Sequence, residues 1–205
     1  MIKTILFDFD GVLTTDFNGS GNVASNLCAQ FPSLNNKQTL ECYKKHFSHL
    51  QIHPGSFQDK LPSFCQCLNL EIKLTDMMSA ISKVTINKKM VRLAQNLKNR
   101  YNVGILTDNP KERIELIDKK YHLSQTFHPI IISANAGASK HEGTTTIFDT
   151  ALQETQSKPE ELFFIDNQKR NLVTPQKMGI HTYWHDDKKN DIEALKKTLQ
   201  GLISL

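Results

Sequence analysis

From Asn87 onward, short apolar runs alternate with segments of helical periodicity, and this alternation constrains the fold more than any other feature. Val103 to Leu106, Ile130-Ile131-Ile132, Leu162-Phe163-Phe164-Ile165 and Ile180 to Trp184 read as strands. Asn87 is placed to cap a helix reaching Arg100, with Met90, Val91, Ala94 and Leu97 on one face. Pro110 opens a helix towards Tyr121, a position where its missing N–H costs nothing. Thr144 to Thr155 carries Ile147, Phe148, Ala151 and Leu152 inward. Gln168 to Met178 reads as a helix bent or interrupted at Pro175, and Ile192 to Leu202 as a last helix. Such alternation implies βαβ units and a parallel sheet covered on both faces. Ile5-Leu6-Phe7, inside the apolar run Ile2 to Phe9, supplies one more buried strand near the amino end.

Between that first strand and residue 87 the pattern is different. A polar, glycine-containing stretch from Asp16 to Asn22 is followed by helical segments with no strand among them. Gln38 to Leu50 spaces Leu40, Tyr43, Phe47 and Leu50 as one face. Phe57 to Leu68 does the same with Phe57, Leu61, Phe64, Cys65 and Leu68, and Pro62 predicts a break or a helix start there. Leu74 to Val84 is a shorter candidate. Residues 16–86 therefore read as an all-helical insertion, with residues 1–15 and 87–205 forming the core. A helical module inserted beside a loop of polar residues is suited to act as a lid.

Composition narrows the partners. A net charge of +4 without any block of five or six basic residues argues against a nucleic-acid surface and suits a small anionic molecule. No apolar run is long enough to span a bilayer. Met1-Ile2-Lys3 runs straight into the first strand without an apolar leader, so a cytoplasmic location is expected, with no membrane partner, and as a monomer or weak homodimer. In that compartment Cys28, Cys42, Cys65 and Cys67 are expected to be thiols that pack as small side chains. His46, His49 and His53 share helical spacings but match no zinc-finger pattern, and Trp184 is expected in the core.

In open parallel sheets, ligands bind beyond the carboxyl ends of the strands. The first strand ends in Asp8-Phe9-Asp10-Gly11; the next core strand in Thr107-Asp108-Asn109; the third leads on to Ser139-Lys140; the fourth ends in Asp166-Asn167. Asp8 and Asp10, two residues apart on extended chain, point the same way at about 6–7 Å. Keeping both ionised requires a nearby cation, or else one carboxyl holds a proton. Carboxylates, a hydroxyl and a lysine on one rim suit phosphoryl transfer. One carboxylate attacks phosphorus, another exchanges protons with the leaving alkoxide and with water, and fixed donors steady the phosphoryl oxygens. Asp8 and Asp166 can hold Mg²⁺, an ion that prefers oxygen ligands.

Asp8-Phe9-Asp10-Gly11-Val12, then Thr107, then Lys140, then Phe164-Ile165-Asp166-Asn167 with Asn171 five residues beyond Asp166, resembles the four ordered motifs of the haloacid dehalogenase (HAD) superfamily of phosphohydrolases. The helical insertion between the first two motifs resembles the cap of the group containing phosphoglycolate phosphatase and β-phosphoglucomutase. The resemblance implies an α/β fold: a Rossmann-like parallel sheet with helices on both faces, plus an inserted all-helical cap. It implies Asp8 as nucleophile and Mg²⁺ ligand, and Asp10 as general acid/base with its backbone carbonyl on the metal. It further implies Thr107 as a donor to the phosphoryl group, with Asp108 and Asn109 beside it, Lys140 as the balancing cation, and Asp166 as the acidic metal ligand. The implied substrate is a small phosphorylated metabolite.

Two departures stand out. Lys140 is followed by His141-Glu142-Gly143-Thr144 where relatives often carry Pro-Asp-Pro, and Asn167 stands where a second acid is common. A sugar-phosphate mutase would use the same aspartyl-phosphate, and a non-catalytic phosphate-binding relative is a further alternative. A dehalogenase is disfavoured because those relatives lack the carboxyl that Asp10 supplies. A phospho-accepting receiver module is disfavoured by length and by the order of its Asp, Thr and Lys.

Overall fold

The computed structural model describes residues 1–141 and 143–202; Glu142, named above in the stretch that follows Lys140, lies outside the described residues. Five strands form one parallel sheet: β1 (Thr4–Phe7), β2 (Asn102–Thr107), β3 (Ile130–Ile132), β4 (Leu162–Asp166) and β5 (His181–Trp184). Their spatial order is β3-β2-β1-β4-β5. β1 is central, with Phe7 paired to Ile105 on one side and Ile165 on the other. Both faces are buried, and the period-two alternation of side chains sorts the strand residues between two cores. Ile5, Phe7, Ile105, Phe163 and Ile165 face one core. There they meet α5 (Lys88–Leu97), α6 (Lys111–Tyr121) and α10 (Ile192–Leu202). Leu6, Leu106, Ile131 and Phe164 face the other, packed against α8 (Thr146–Thr155) and α9 (Lys169–Lys177), with the short α7 (Ser133–Ala136) directly after β3. α9 runs through Pro175 as one helix.

Between β1 and α5 the chain forms four α-helices, α1 (Gly19–Gln30), α2 (Asn36–Phe47), α3 (Phe57–Leu68) and α4 (Leu74–Ser82). They enclose an apolar cluster of their own that includes Val23, Leu27, Tyr43, Phe47, Phe57, Phe64, Met77 and Ile81. Phe47 is its centre, with ring centroids 4.9 Å from Phe57 and 5.0 Å from Phe64. The chain enters and leaves this module side by side: Thr14 bridges Ile86, Thr15 N donates to Thr85 O, and Asn87 Nδ2 donates to Val12 O.

Four details depart from the sequence reading. α1 begins inside the stretch expected to be a polar loop, because Asn18 caps it by accepting from Gly21 N at 2.7 Å. α3 continues through Pro62, in its second turn, and buries Phe57, Leu61, Phe64 and Leu68 on both sides of it, so tertiary packing outweighs the missing N–H. Cys42 and Cys67 are joined in a disulfide between α2 and α3, so the expectation of four thiols fails for this pair; Cys28 and Cys65 are free. The helix spacing that separated Cys65 from Cys67 is what turns Cys67 towards α2, while Cys65 Sγ bonds Ile72. Trp184 is 42 % exposed rather than core: its Nε1 donates to Asn167 O at 2.9 Å and Lys169 Nζ lies 4.3 Å from its ring. Its polar edge satisfies itself on the rim while the ring stays half in water. Among the described residues, no helix is long and apolar enough to cross a membrane.

Candidate active site

The site lies where β1, β2 and β4 end. Phe7 is the last paired residue of β1, and Asp8 N donates to Ile165 O at 2.8 Å, so Asp8 emerges level with the end of β4. Asp8 Oδ1 accepts from Phe9 N at 2.7 Å, and the chain then makes a wide turn that closes with Thr14 N on Phe9 O at 3.0 Å. Gly11 is required in that turn. Its φ is +81°, and a Cβ there would lie 2.1 Å from Asn167 Nδ2. The glycine thus lets the turn of the first motif pack directly on the side chain that follows Asp166.

Lys140, 1 % exposed, sends its ammonium between two carboxylates, 2.7 Å from Asp8 Oδ1 and 2.7 Å from Asp166 Oδ2. Asp166 is fully buried and heavily bonded: Gln168 N donates to Oδ1 at 2.7 Å, and Asn171 Nδ2 donates to both oxygens at 3.2 and 3.0 Å. Burial pushes the Asp8 carboxyl well above the usual carboxylate range; Lys140 opposes this and Asp166 adds to it. Burial works against the charge on Lys140, but Asp166 and Asp8 outweigh it and hold the ammonium above its ordinary value. The buried lysine is therefore a fixed cation between two acids.

Asp10 is turned elsewhere. Its carboxylate is gripped by the guanidinium of Arg113, with Nη1 2.8 Å from Oδ2 and Nη2 2.9 Å from Oδ1. Asn109 Nδ2 donates to the same Oδ2 at 2.9 Å and to Thr107 Oγ1 at 2.7 Å. Asp108 accepts from Lys140 N at 3.1 Å, so its carboxylate braces the lysine loop. Asp8, Asp10, Thr107, Asp108, Asn109 and Lys140 all line one cavity of about 400 Å³, and Asp166 stands behind them on Lys140. The far wall comes from the helical module, through Leu40, Lys44, Ser48 and Gln51.

Two observations bear on a metal. Among the described residues, no group of three His, Cys, Asp or Glu side chains converges as a ligand set, since the side chain of Asp10 faces Arg113. Beyond the carboxylates of Asp8 and Asp166, two amide oxygens, Asn167 Oδ1 and Asn171 Oδ1, are buried without any hydrogen-bond partner, and Asn171 lines the cavity. Both amides are oriented by their N–H groups, on Phe17 O and on Asp166, so these orphaned acceptors are real. A few hard oxygen donors, leaving room for water and a phosphate, fit Mg²⁺.

Arg113 was not singled out by sequence. It sits in a run of charged residues, Lys111-Glu112-Arg113, beside the Ile114 and Ile117 stripe, where local pattern does not mark it as buried. The need of paired carboxylates for a cation was legible; which cation meets Asp10 depends on how α6 is placed.

Comparison with known structures agrees with this fold. A predicted HAD-like hydrolase from Porphyromonas gingivalis superposes with a TM-score of 0.73 at 20% identity, covering 98% of each chain. The magnesium complex of the HAD-family enzyme BT-2542 from Bacteroides thetaiotaomicron gives 0.74 at 19% identity, over 95% of this chain and 98% of that one. An L-2-haloacid dehalogenase from Xanthobacter autotrophicus gives 0.69 at 15% identity, over 98% and 83%. No curated protein matches the chain. The family model of haloacid dehalogenase-like hydrolases matches residues 5–185, nearly the full length of the sheet and its module, and the chain belongs to that family.

Proposed function

We propose that this protein is a Mg²⁺-dependent phosphatase that hydrolyses a small phosphorylated metabolite through an aspartyl-phosphate on Asp8. The observation that carries the reading is the buried ammonium of Lys140 shared by Asp8 and Asp166, with a second carboxyl, Asp10, two residues beyond the first. An oxygen of Asp8 attacks phosphorus, forming the acyl phosphate as the bond to the leaving oxygen breaks, and Asp10 delivers a proton to that oxygen. Asp10 then takes a proton from water as the water attacks the phosphoryl group and frees Asp8. In this reading Thr107 Oγ1 and Lys140 Nζ steady the phosphoryl oxygens, where fixed donors do most of the work. When bound by Asp8, Asp166 and the backbone carbonyl of Asp10, Mg²⁺ would neutralise charge on those oxygens. Asp108 and Asn109 order the rim around them.

We assign residues 1–15 and 87–205 to the catalytic core and residues 16–86 to a cap that roofs the cavity and sets which metabolite enters. Support for Mg²⁺ includes a BT-2542 structure, 22% identical over 91% of this chain, that holds magnesium and inorganic phosphate. The test is a panel of phosphorylated metabolites assayed with and without Mg²⁺ for free phosphate. Release that requires Mg²⁺ and disappears in Asp8→Asn supports the proposal. Isomerised product without free phosphate would make the enzyme a mutase. Halide release from L-2-chloropropionate, with no phosphate released from any ester, would replace the proposal with dehalogenation.

A further inference from the structure

Arg113 is 1 % exposed, and the only carboxylate to which its guanidinium is bridged, among the described residues, is Asp10. The fork takes both oxygens of that carboxylate, and Nη1 also donates to Asn109 Oδ1. Its remaining nitrogen, Nε, donates at 3.2 Å to Ile81 O, in the last turn of α4. Its neighbour Glu112 accepts from Phe57 N, at the start of α3, at 3.0 Å. The first turn of α6 therefore holds two helices of the inserted module with one hand and the carboxylate of Asp10 with the other. The pair is closely covered on the side of α1: a Cβ on Gly19, at the start of that helix, would lie 2.9 Å from Arg113 Nη1 and 2.9 Å from Asp10 Oδ2.

We infer that Arg113 is a positioning residue that fixes the direction of the Asp10 carboxylate and ties it to the seat of the helical module. The inference rests on the phosphatase reading of the same site, in which Asp10 exchanges protons with leaving group and water. A bidentate fork constrains a carboxylate in plane as well as in distance, which a single lysine cannot do. Arg113 does not line the cavity and so acts through Asp10 rather than on substrate. Misplacing an acid/base group by about 1 Å costs on the order of 100-fold in rate.

The test is a double-mutant cycle on the full-length protein with 4-nitrophenyl phosphate and Mg²⁺. Arg113→Gln is expected to lower kcat by about 10- to 100-fold. KM should hold, and Arg113→Lys should recover part of the loss by restoring one hydrogen bond and the charge. In an Asp10→Asn background, Arg113→Gln is expected to change kcat by no more than about twofold, because the residue it positions is already gone. Equal fold losses in both backgrounds would overturn the inference and leave Arg113 a purely structural cation. If Arg113→Gln fails to fold, the same cycle is read with Arg113→Lys. A wild-type protein that releases no phosphate would defeat the phosphatase reading and the role of Arg113 with it. Lost coupling in an active wild type defeats only the latter.

Discussion

Replacing Lys140 with methionine tests the electrostatic centre of the site. Lys140 is 1 % exposed, and its ammonium is the bridge between Asp8, 7 % exposed, and Asp166, fully buried. Methionine keeps most of the side-chain volume and removes the charge, leaving two desolvated carboxylates facing each other. Breaking a buried pair in this way costs about 3–5 kcal/mol, since a buried charge is left uncompensated. Against a total stability of about 5–15 kcal/mol, that is a large share. For a chain of this size each kcal/mol moves Tm by about 2–4 °C, so Tm should fall by about 6–20 °C. Urea unfolding supplies the free energy, provided m is unchanged. Two compensations follow from the same picture. Lys140→Met with Asp166→Asn should be more stable than Lys140→Met alone, because one of the two facing charges is gone. Mg²⁺ should also stabilise Lys140→Met more than wild type, because the metal then supplies the positive charge between Asp8 and Asp166 that Lys140 no longer does. A loss below about 1 kcal/mol in Lys140→Met, with no gain from the second substitution, would refute the shared-cation account.

Other expectations concern regions away from Lys140. Cys42→Ser with Cys67→Ser opens a bridge of sequence separation 25. By the loop-entropy relation it should cost about 3–4 kcal/mol, read by urea unfolding, and wild type in reductant should show a similar loss. Burial holds His185 below its ordinary value of 6.5, opposed by a hydrogen bond with Asn190. Above that pH the ring is neutral folded and unfolded. As pH falls through it the unfolded chain takes up a proton that the folded chain refuses, so stability should decline towards the folded-state value. His185→Gln should flatten that decline in thermal melts between about pH 7.5 and 5.5. Gly11→Ala should be destabilised and should shift Asn167, as its Cβ would lie 2.1 Å from Asn167 Nδ2; a crystal structure with Asn167 unmoved would contradict the packing described.

The parts of this molecule legible in its sequence were those fixed by local pattern. β1, β2 and β4 are apolar runs with a polar residue at their carboxyl ends, so Asp8, Thr107 and Asp166 could be placed on one rim before any contact was known. The parts that were not legible depend on contacts between distant segments. Arg113 meets Asp10 across 103 residues, and nothing near either residue announces the other. The Cys42–Cys67 bridge depends on how α2 lies against α3. The exposure of Trp184 follows from its place at the end of the edge strand β5, one flank of which pairs with no strand among the described residues. The start of α1 was hidden by its glycines, which disfavour a helix interior until the Asn18 cap is counted.

The central claim is that Asp8 itself carries the phosphoryl group between substrate and water. Acid-quenched turnover in the presence of Mg²⁺, followed by mass mapping of the digested chain, reads this directly. The account predicts a phosphoryl adduct on the peptide that contains Asp8, absent from Asp8→Asn and, with 4-nitrophenyl phosphate, whose leaving group needs little protonation, accumulating in Asp10→Asn, whose water attack is slowed. Phosphate release at the wild-type rate from Asp8→Asn, or an adduct confined to another residue, would contradict it.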